Sequence, residues 1–160
     1  MRLEKPVFNV VYRWLWNRQD AHEVVQEAFM RLWKMRERVR MDTVEPLVYR
    51  IAVNLASKHK RRKKLWGWLS FDGEQPQPAD PAAHAPELMT AAQRERRVRA
   101  AVDALPDKLR QVVVLCELTG MSYAQVGEAL GVPAGTVGSR RNTALRRLRD
   151  TLGEGGLDEA

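Results

Sequence analysis

Between residues 65 and 93 the chain has no lysine or arginine, four carboxylates (Asp72, Glu74, Asp80, Glu87) and four of its eight prolines (Pro76, Pro78, Pro81, Pro86). Each proline fixes its own φ and removes a backbone donor, which excludes helix interiors and central strands. Structureless loops longer than about 15 residues are uncommon inside compact domains. The stretch therefore reads as a flexible, acidic, proline-rich linker over 67–93. It separates a first domain, 1–66, from a second, 94–152, and leaves a tail at 153–160. A chain of 160 residues suffices for two small domains with modest cores. Both flanks of the linker are basic, and the net charge of +7 with a pI near 10.0 points to a polyanionic partner.

Several classes of protein are disfavoured. No apolar run approaches the roughly 20 residues that span a bilayer, and "MRLEKPVFNV" lacks the pattern of a signal peptide, so a cytoplasmic protein without membrane insertion is expected. Cys116 is the only cysteine and lies in the apolar run "VVVLCEL", which suits a structural thiol and excludes an internal disulfide. His22, His59 and His84 are scattered, and neither a catalytic triad, a phosphate loop nor metal-ligand spacing stands out. The expectation is a protein with no enzymatic activity, no catalytic residues, no metal or other cofactor and no small-molecule substrate.

Periodicity predicts an all-α fold, since period-two alternation is sustained nowhere. A short first helix carries Phe8, Val11, Tyr12 and Leu15. In "DAHEVVQEAFMRLWK", Val24, Val25, Ala28, Phe29, Leu32 and Trp33 recur at helical spacing, with Asp20 and Glu23 as the expected capping box. Glu23, Gln26, Glu27 and Met30 face elsewhere. In "PLVYRIAVNLASKHKRRKK", Pro46 suits a first helical turn and Val48, Ile51, Ala52 and Leu55 form the apolar stripe. Arg50, Asn54, Lys58 and Arg61 line another face, beside Arg62, where charge for phosphates adjoins groups able to reach bases. Tyr49, Trp66 and Trp68 offer aromatic faces for unpaired bases, but aromatics at helical spacing are more often packing residues.

In the second domain, helices are predicted over 94–104 and 107–118. Ser122 then caps a short helix through Leu130, Gly131 ends it, and an arginine-rich helix begins near Ala134. Helix, tight turn and arginine-rich helix is the helix-turn-helix order. Val137, Ala144, Leu145 and Leu148 give the last helix a buried face, leaving Ser139, Arg140, Asn142 and Thr143 for a major groove. Arginine can pair with guanine and asparagine with adenine in bidentate fashion, while Arg146, Arg147 and Arg149 suit phosphates.

"DAHEVVQEAFMRLW" with "YRIAVNLASKHKRR" resembles the second conserved region of the extracytoplasmic-function (ECF) sigma factors of bacterial RNA polymerase. "LPDKLRQVVVLCELTGMSYAQVGEALGVPAGTVGSR" resembles their fourth. The resemblance implies a sigma factor that binds core RNA polymerase and directs initiation at promoters. It places Glu23, Gln26 and Glu27 on the polymerase clamp helices. Arg50, Asn54, Lys58, Arg61 and Arg62 would meet the −10 element as it melts, and Ser139, Arg140, Asn142, Thr143, Arg146 and Arg147 the −35 element. It also implies an anti-sigma factor as partner, and a linker that threads the polymerase's nucleic-acid channel. The chain departs from the family pattern at Leu47, Gln125, Gly127, Gly138 and Arg141, where tryptophan, glutamate, alanine, lysine and leucine are frequent. Without the resemblance, a dimeric helix-turn-helix regulator that reads palindromic duplex alone, or a basic RNA-binding adaptor, would also fit the residues.

Overall fold

Seven α-helices follow one another in the computed structural model, which describes residues 2–69 and 90–153. They are α1 Glu4–Leu15, α2 Arg18–Lys34, α3 Val44–Leu69, α4 Ala91–Ala104, α5 Asp107–Thr119, α6 Tyr123–Leu130 and α7 Ala134–Leu152. A single 3-10 turn, Arg36–Arg38, lies between α2 and α3, and no strand occurs among the described residues. The bulk of the predicted linker, with Asp72, Glu74, Asp80 and Glu87 and the proposed path through a polymerase channel, lies outside them, as does most of the tail. At its margins the linker prediction gives way to helix. α3 continues through Leu69, and Thr90 opens α4 with a reciprocal capping box to Gln93.

Side-chain caps open three of the helices, α2, α4 and α6. α2 starts three residues before the predicted box: Asn17 is the cap, its Oδ1 accepting the Asp20 N–H at 3.0 Å. Asp20 sits inside the first turn and turns instead towards α3, where it meets Lys63 and the His59 ring at 3.3 Å. Burial opposes its charged form, but Lys63 and His59 outweigh that and hold the carboxyl below its ordinary value. In the second half, Ser122 and Gln125 form a complete capping box, and Gly131 ends α6 at φ +69°. Gln125 thus completes the cap from the third residue of α6.

The two halves share a core. Val7, Val10, Val11 and Trp14 of α1 pack with Ala21, Val24, Val25 and Ala28 of α2 and Val48, Ala52, Val53 and Ala56 of α3. Val112, Val114 and Leu115 of α5, Met121 of the turn after it, Val126 and Ala129 of α6, and Val137 of α7 complete the same cluster. A smaller cluster, Ala101, Leu105, Val113, Ala144 and Leu148, joins α4, α5 and α7. α6 lies on α3 and α5 on α1, so the halves are docked rather than apart.

The expectations for four aromatic residues are corrected. Trp33 is 63% exposed rather than core, and Trp66 and Trp68, expected as packing residues, are 65% and 75% exposed. Trp33 lies on the solvent side of α2, whose opposite stripe fills the interior, whereas Trp66 and Trp68 lie on the last turns of α3, where every residue from 61 to 69 is exposed. Tyr49 is the reverse case. It is buried, and that burial, with Glu45 nearby, pushes its hydroxyl up to about 12, so its ring is closed to bases.

Candidate nucleic-acid and polymerase interfaces

α7 is aimed by the turn before it. Val132 donates its N–H to the carbonyl of Gly127 at 2.9 Å, and Thr136 and Val137 donate to Pro133, which starts α7 without a side-chain cap. Val137, Ala144 and Leu148 then fix the rotation of α7 by burying one face. Ser139, Asn142, Arg146 and Arg147 are exposed on the other, with Arg140 and Thr143 half-buried among them. Ser139 and Thr143 donate their hydroxyls to the backbone of Thr136 and Ser139, which leaves their oxygens as outward acceptors.

Arg141 behaves differently from its neighbours. Its guanidinium pairs with Glu117 of α5, Nε at 2.9 Å and Nη2 at 2.7 Å from Oε1. The hydrogen bond to Glu117 raises its already high pKa further. Arg141 therefore braces α7 against α5. Cys116, beside this pair, is half-buried, and burial pushes its thiol up.

On α3, Arg50, Asn54, Lys58, Arg61 and Arg62 are all exposed and continue along one side of the helix, as their spacing predicts. Arg50 is not available to a ligand here. Its Nε donates to the carbonyl of Ala129 at 3.1 Å and its Nη2 to that of Glu128, both on α6. Nothing in the spacing of α3 signals this contact, because its partner lies 79 residues away.

On α2, Glu23, Gln26 and Glu27 are exposed together. Glu27 accepts from Arg31 one turn on at 2.8 Å, and Gln26 opens onto a groove of about 600 Å³ shared with Glu4, His22, Val25, Phe29, Met30, Trp33 and Lys34. Met30 and Trp33 make this the apolar side of the acidic face, a role that the periodicity of α2 does not signal for Trp33. Among the described residues no group of three or more His, Cys, Asp or Glu could hold a metal, and no helix is long and apolar enough to cross a membrane.

Residues 1–65 match the family described as Sigma-70 region 2, and residues 95–148 match Sigma-70, region 4. The chain is 31% identical to the ECF RNA polymerase sigma-E factor of Haemophilus influenzae, an alignment covering 94% of this chain and 84% of that one. It is 32% identical to the ECF RNA polymerase sigma factor SigE of Mycolicibacterium smegmatis, covering 91% of this chain and 57% of the relative. The chain thus spans little more than half the length of that mycobacterial relative. The sigma factor RpoE of Bartonella quintana, solved with the anti-sigma factor NepR, has the same fold: the TM-score is 0.71 at 19% identity, over 98% of this chain and 94% of that one. CnrH, solved with the cytosolic domain of CnrY, superposes with a TM-score of 0.71 at 20% identity, over 97% of this chain and 85% of that one. The chain belongs to the sigma-70 family, among the ECF sigma factors of bacterial RNA polymerase.

Proposed function

We propose that the chain is a non-catalytic specificity subunit that binds core RNA polymerase, recognises promoter −35 and −10 elements and helps melt the DNA. The observation that carries this reading is the pairing, on one chain, of a capped helix-turn-helix whose last helix presents Ser139, Arg140, Asn142, Arg146 and Arg147 with a separate basic face on α3. A regulator that reads duplex by itself needs only the first of these. Phosphate contacts come from Arg146 and Arg147 and base contacts from Arg140 and Asn142, with Thr143 and Ser139 as acceptors. Asn54, Lys58, Arg61 and Arg62, with Arg50 when released, hold the −10 strand. Glu23, Gln26 and Glu27 dock on polymerase, supported by the exposed Met30 and Trp33 beside them. Residues 1–66 and 94–152 are the two working domains, and an anti-sigma factor is the proposed antagonist. The protein works in the cytoplasm, where its polymerase is.

Run-off transcription with purified core polymerase on a promoter library tests this. Specific transcripts from asymmetric promoters, dependent on added chain, are expected. Protection of a palindromic site by the chain alone, with no transcript from any promoter, would replace the sigma reading with that of a dimeric regulator.

A further inference from the structure

The core ends before α3 does. Ala56 and Ser57 are the last buried residues of this helix and His59 and Lys60 the last half-buried ones, while every residue from 61 to 69 is exposed. The end of α3, about 13 Å of helix, thus projects past the packed part of the chain. Its composition is not that of a solvated helix end. Leu65 and Leu69 are 59% and 69% exposed, beside the exposed rings of Trp66 and Trp68.

Helical spacing sorts these side chains. Lys60 and Lys63 turn back to the body of the protein, where they pair with Asp103 and Asp20, and Gly67 continues that side one turn on. The opposite side carries Lys58, Arg61 and Arg62 and then, along the same line, Leu65, Trp68 and Leu69. Lys64 and Trp66 flank it. Among the described residues, Arg61, Arg62 and Lys64 take part in no ion pair.

The outward side of α3 therefore changes from cationic to apolar along the helix axis rather than around it. From Arg61 the rise to Leu65 is about 6 Å and to Trp68 about 10 Å. Helices that lie in a membrane interface bury apolar side chains to about 5–10 Å, with lysine and arginine reaching up to the headgroups. A single strand of nucleic acid matches this arrangement less well. Stacking platforms set aromatic rings along the cationic groove that follows the backbone, and Leu65 and Leu69 have no π face to offer a base.

We propose that the projecting end of α3 is a reversible anchor on an anionic membrane surface. Leu65, Trp66, Trp68 and Leu69 enter the boundary between headgroups and acyl chains, and Arg61, Arg62 and Lys64 meet the anionic headgroups. The anchor lies on the bilayer without spanning it, since no described helix is long and apolar enough to cross. Each cation near such a surface is worth about fivefold in binding, so the three favour an anionic bilayer over a neutral one about a hundredfold. Arg61 and Arg62 are also the residues assigned above to the −10 strand. A chain held on lipid is then withheld from promoters; that consequence rests on the promoter reading, whereas lipid binding itself does not.

The test floats the full chain with vesicles of phosphatidylglycerol and phosphatidylcholine and, separately, of phosphatidylcholine alone. Binding to the anionic vesicles about a hundredfold tighter, and weakened by salt, is expected. Lipid brominated near the top of its acyl chains should quench tryptophan emission. Trp66→Phe with Trp68→Phe should keep most of the binding and lose most of the quenching. Trp66→Ser with Trp68→Ser should bind about tenfold more weakly, with melting and helical circular dichroism at wild-type values because both rings are exposed. Equal or absent binding to the two vesicle types overturns the anchor. So does anionic binding that shows no quenching and is unchanged in the serine variant, which is the behaviour of basic charge alone. Dimerisation or single-strand binding that fails in the serine variant, with vesicles left unbound, would give this face to those occupants instead. Run-off transcription without vesicles reports on the promoter reading separately.

Discussion

Gly127 of α6 lies so close under the turn that follows it that a Cβ there would sit 2.5 Å from the carbonyl oxygen of Val132. That oxygen belongs to backbone, so it cannot swing away as a side chain would. Helix propensity alone would make Gly127→Ala stabilising by about 1 kcal/mol. The contact reverses the sign: the variant should lose about 1 to 3 kcal/mol in urea unfolding and bind −35 duplex more weakly, because α7 is aimed through this turn. A more stable alanine variant would show that the turn yields freely.

Asp20 ties the start of α2 to α3 through Lys63 and His59. Its carboxyl is depressed, so its contribution is present above the ordinary carboxyl range near 4 and is lost as pH falls through its lowered folded value. Asp20→Asn should therefore be less stable at pH 7, by about 1 kcal/mol given the exposure of Lys63. The gap from wild type should close in acid. Thermal melts across pH would show it, and a gap that widened below pH 4 would contradict the ion pairing.

Glu23→Lys with Glu27→Lys leaves the fold nearly untouched, since these two carboxylates bond at the surface, to Gln19 and Arg31 on the same helix. The double variant should melt within about 1 kcal/mol of wild type yet lose core polymerase in a pull-down or by surface plasmon resonance. Undiminished binding would remove α2 from the polymerase interface.

The arginines of α7 divide by what they touch. Arg140→Ala and Asn142→Ala should each cost about 1 to 3 kcal/mol at particular −35 bases, whereas Arg147→Ala should weaken all sequences evenly and flatten the salt dependence. Arg141→Ala should do neither. It removes the Glu117 brace, so its effect belongs in stability rather than in base preference. Competition binding on −35 variants at two salt concentrations separates the three outcomes.

What was legible in the sequence was local. Ser122 with Gln125, Gly131 and the start of α7 at Ala134 are each determined within four residues, and the chain follows them. The apolar faces of α3 and α7, and hence the exposed sides carrying Asn54 to Arg62 and Ser139 to Arg147, were equally legible from periodicity. The cap of α2 was not, because Asn17 and Asp20 are both competent and only the packing of Asp20 on α3 decides between them. Periodicity also placed Trp33 in the core, since it cannot tell that smaller residues have already filled the stripe. The contacts of Arg50 and Arg141 depend on partners far along the chain and leave no local signature.

The shared interior of α1 to α3 with α5, α6 and Val137 has a consequence for how the chain comes apart. In this docked arrangement, apolar surface on each half is the solvent barrier of the other, so heat should meet one cooperative unit rather than two small domains of independent stability. A calorimetric scan of the free chain should show one peak whose van't Hoff and calorimetric enthalpies agree. A partner that parted the halves would have to cover the surfaces of Val126, Ala129 and Trp14 itself.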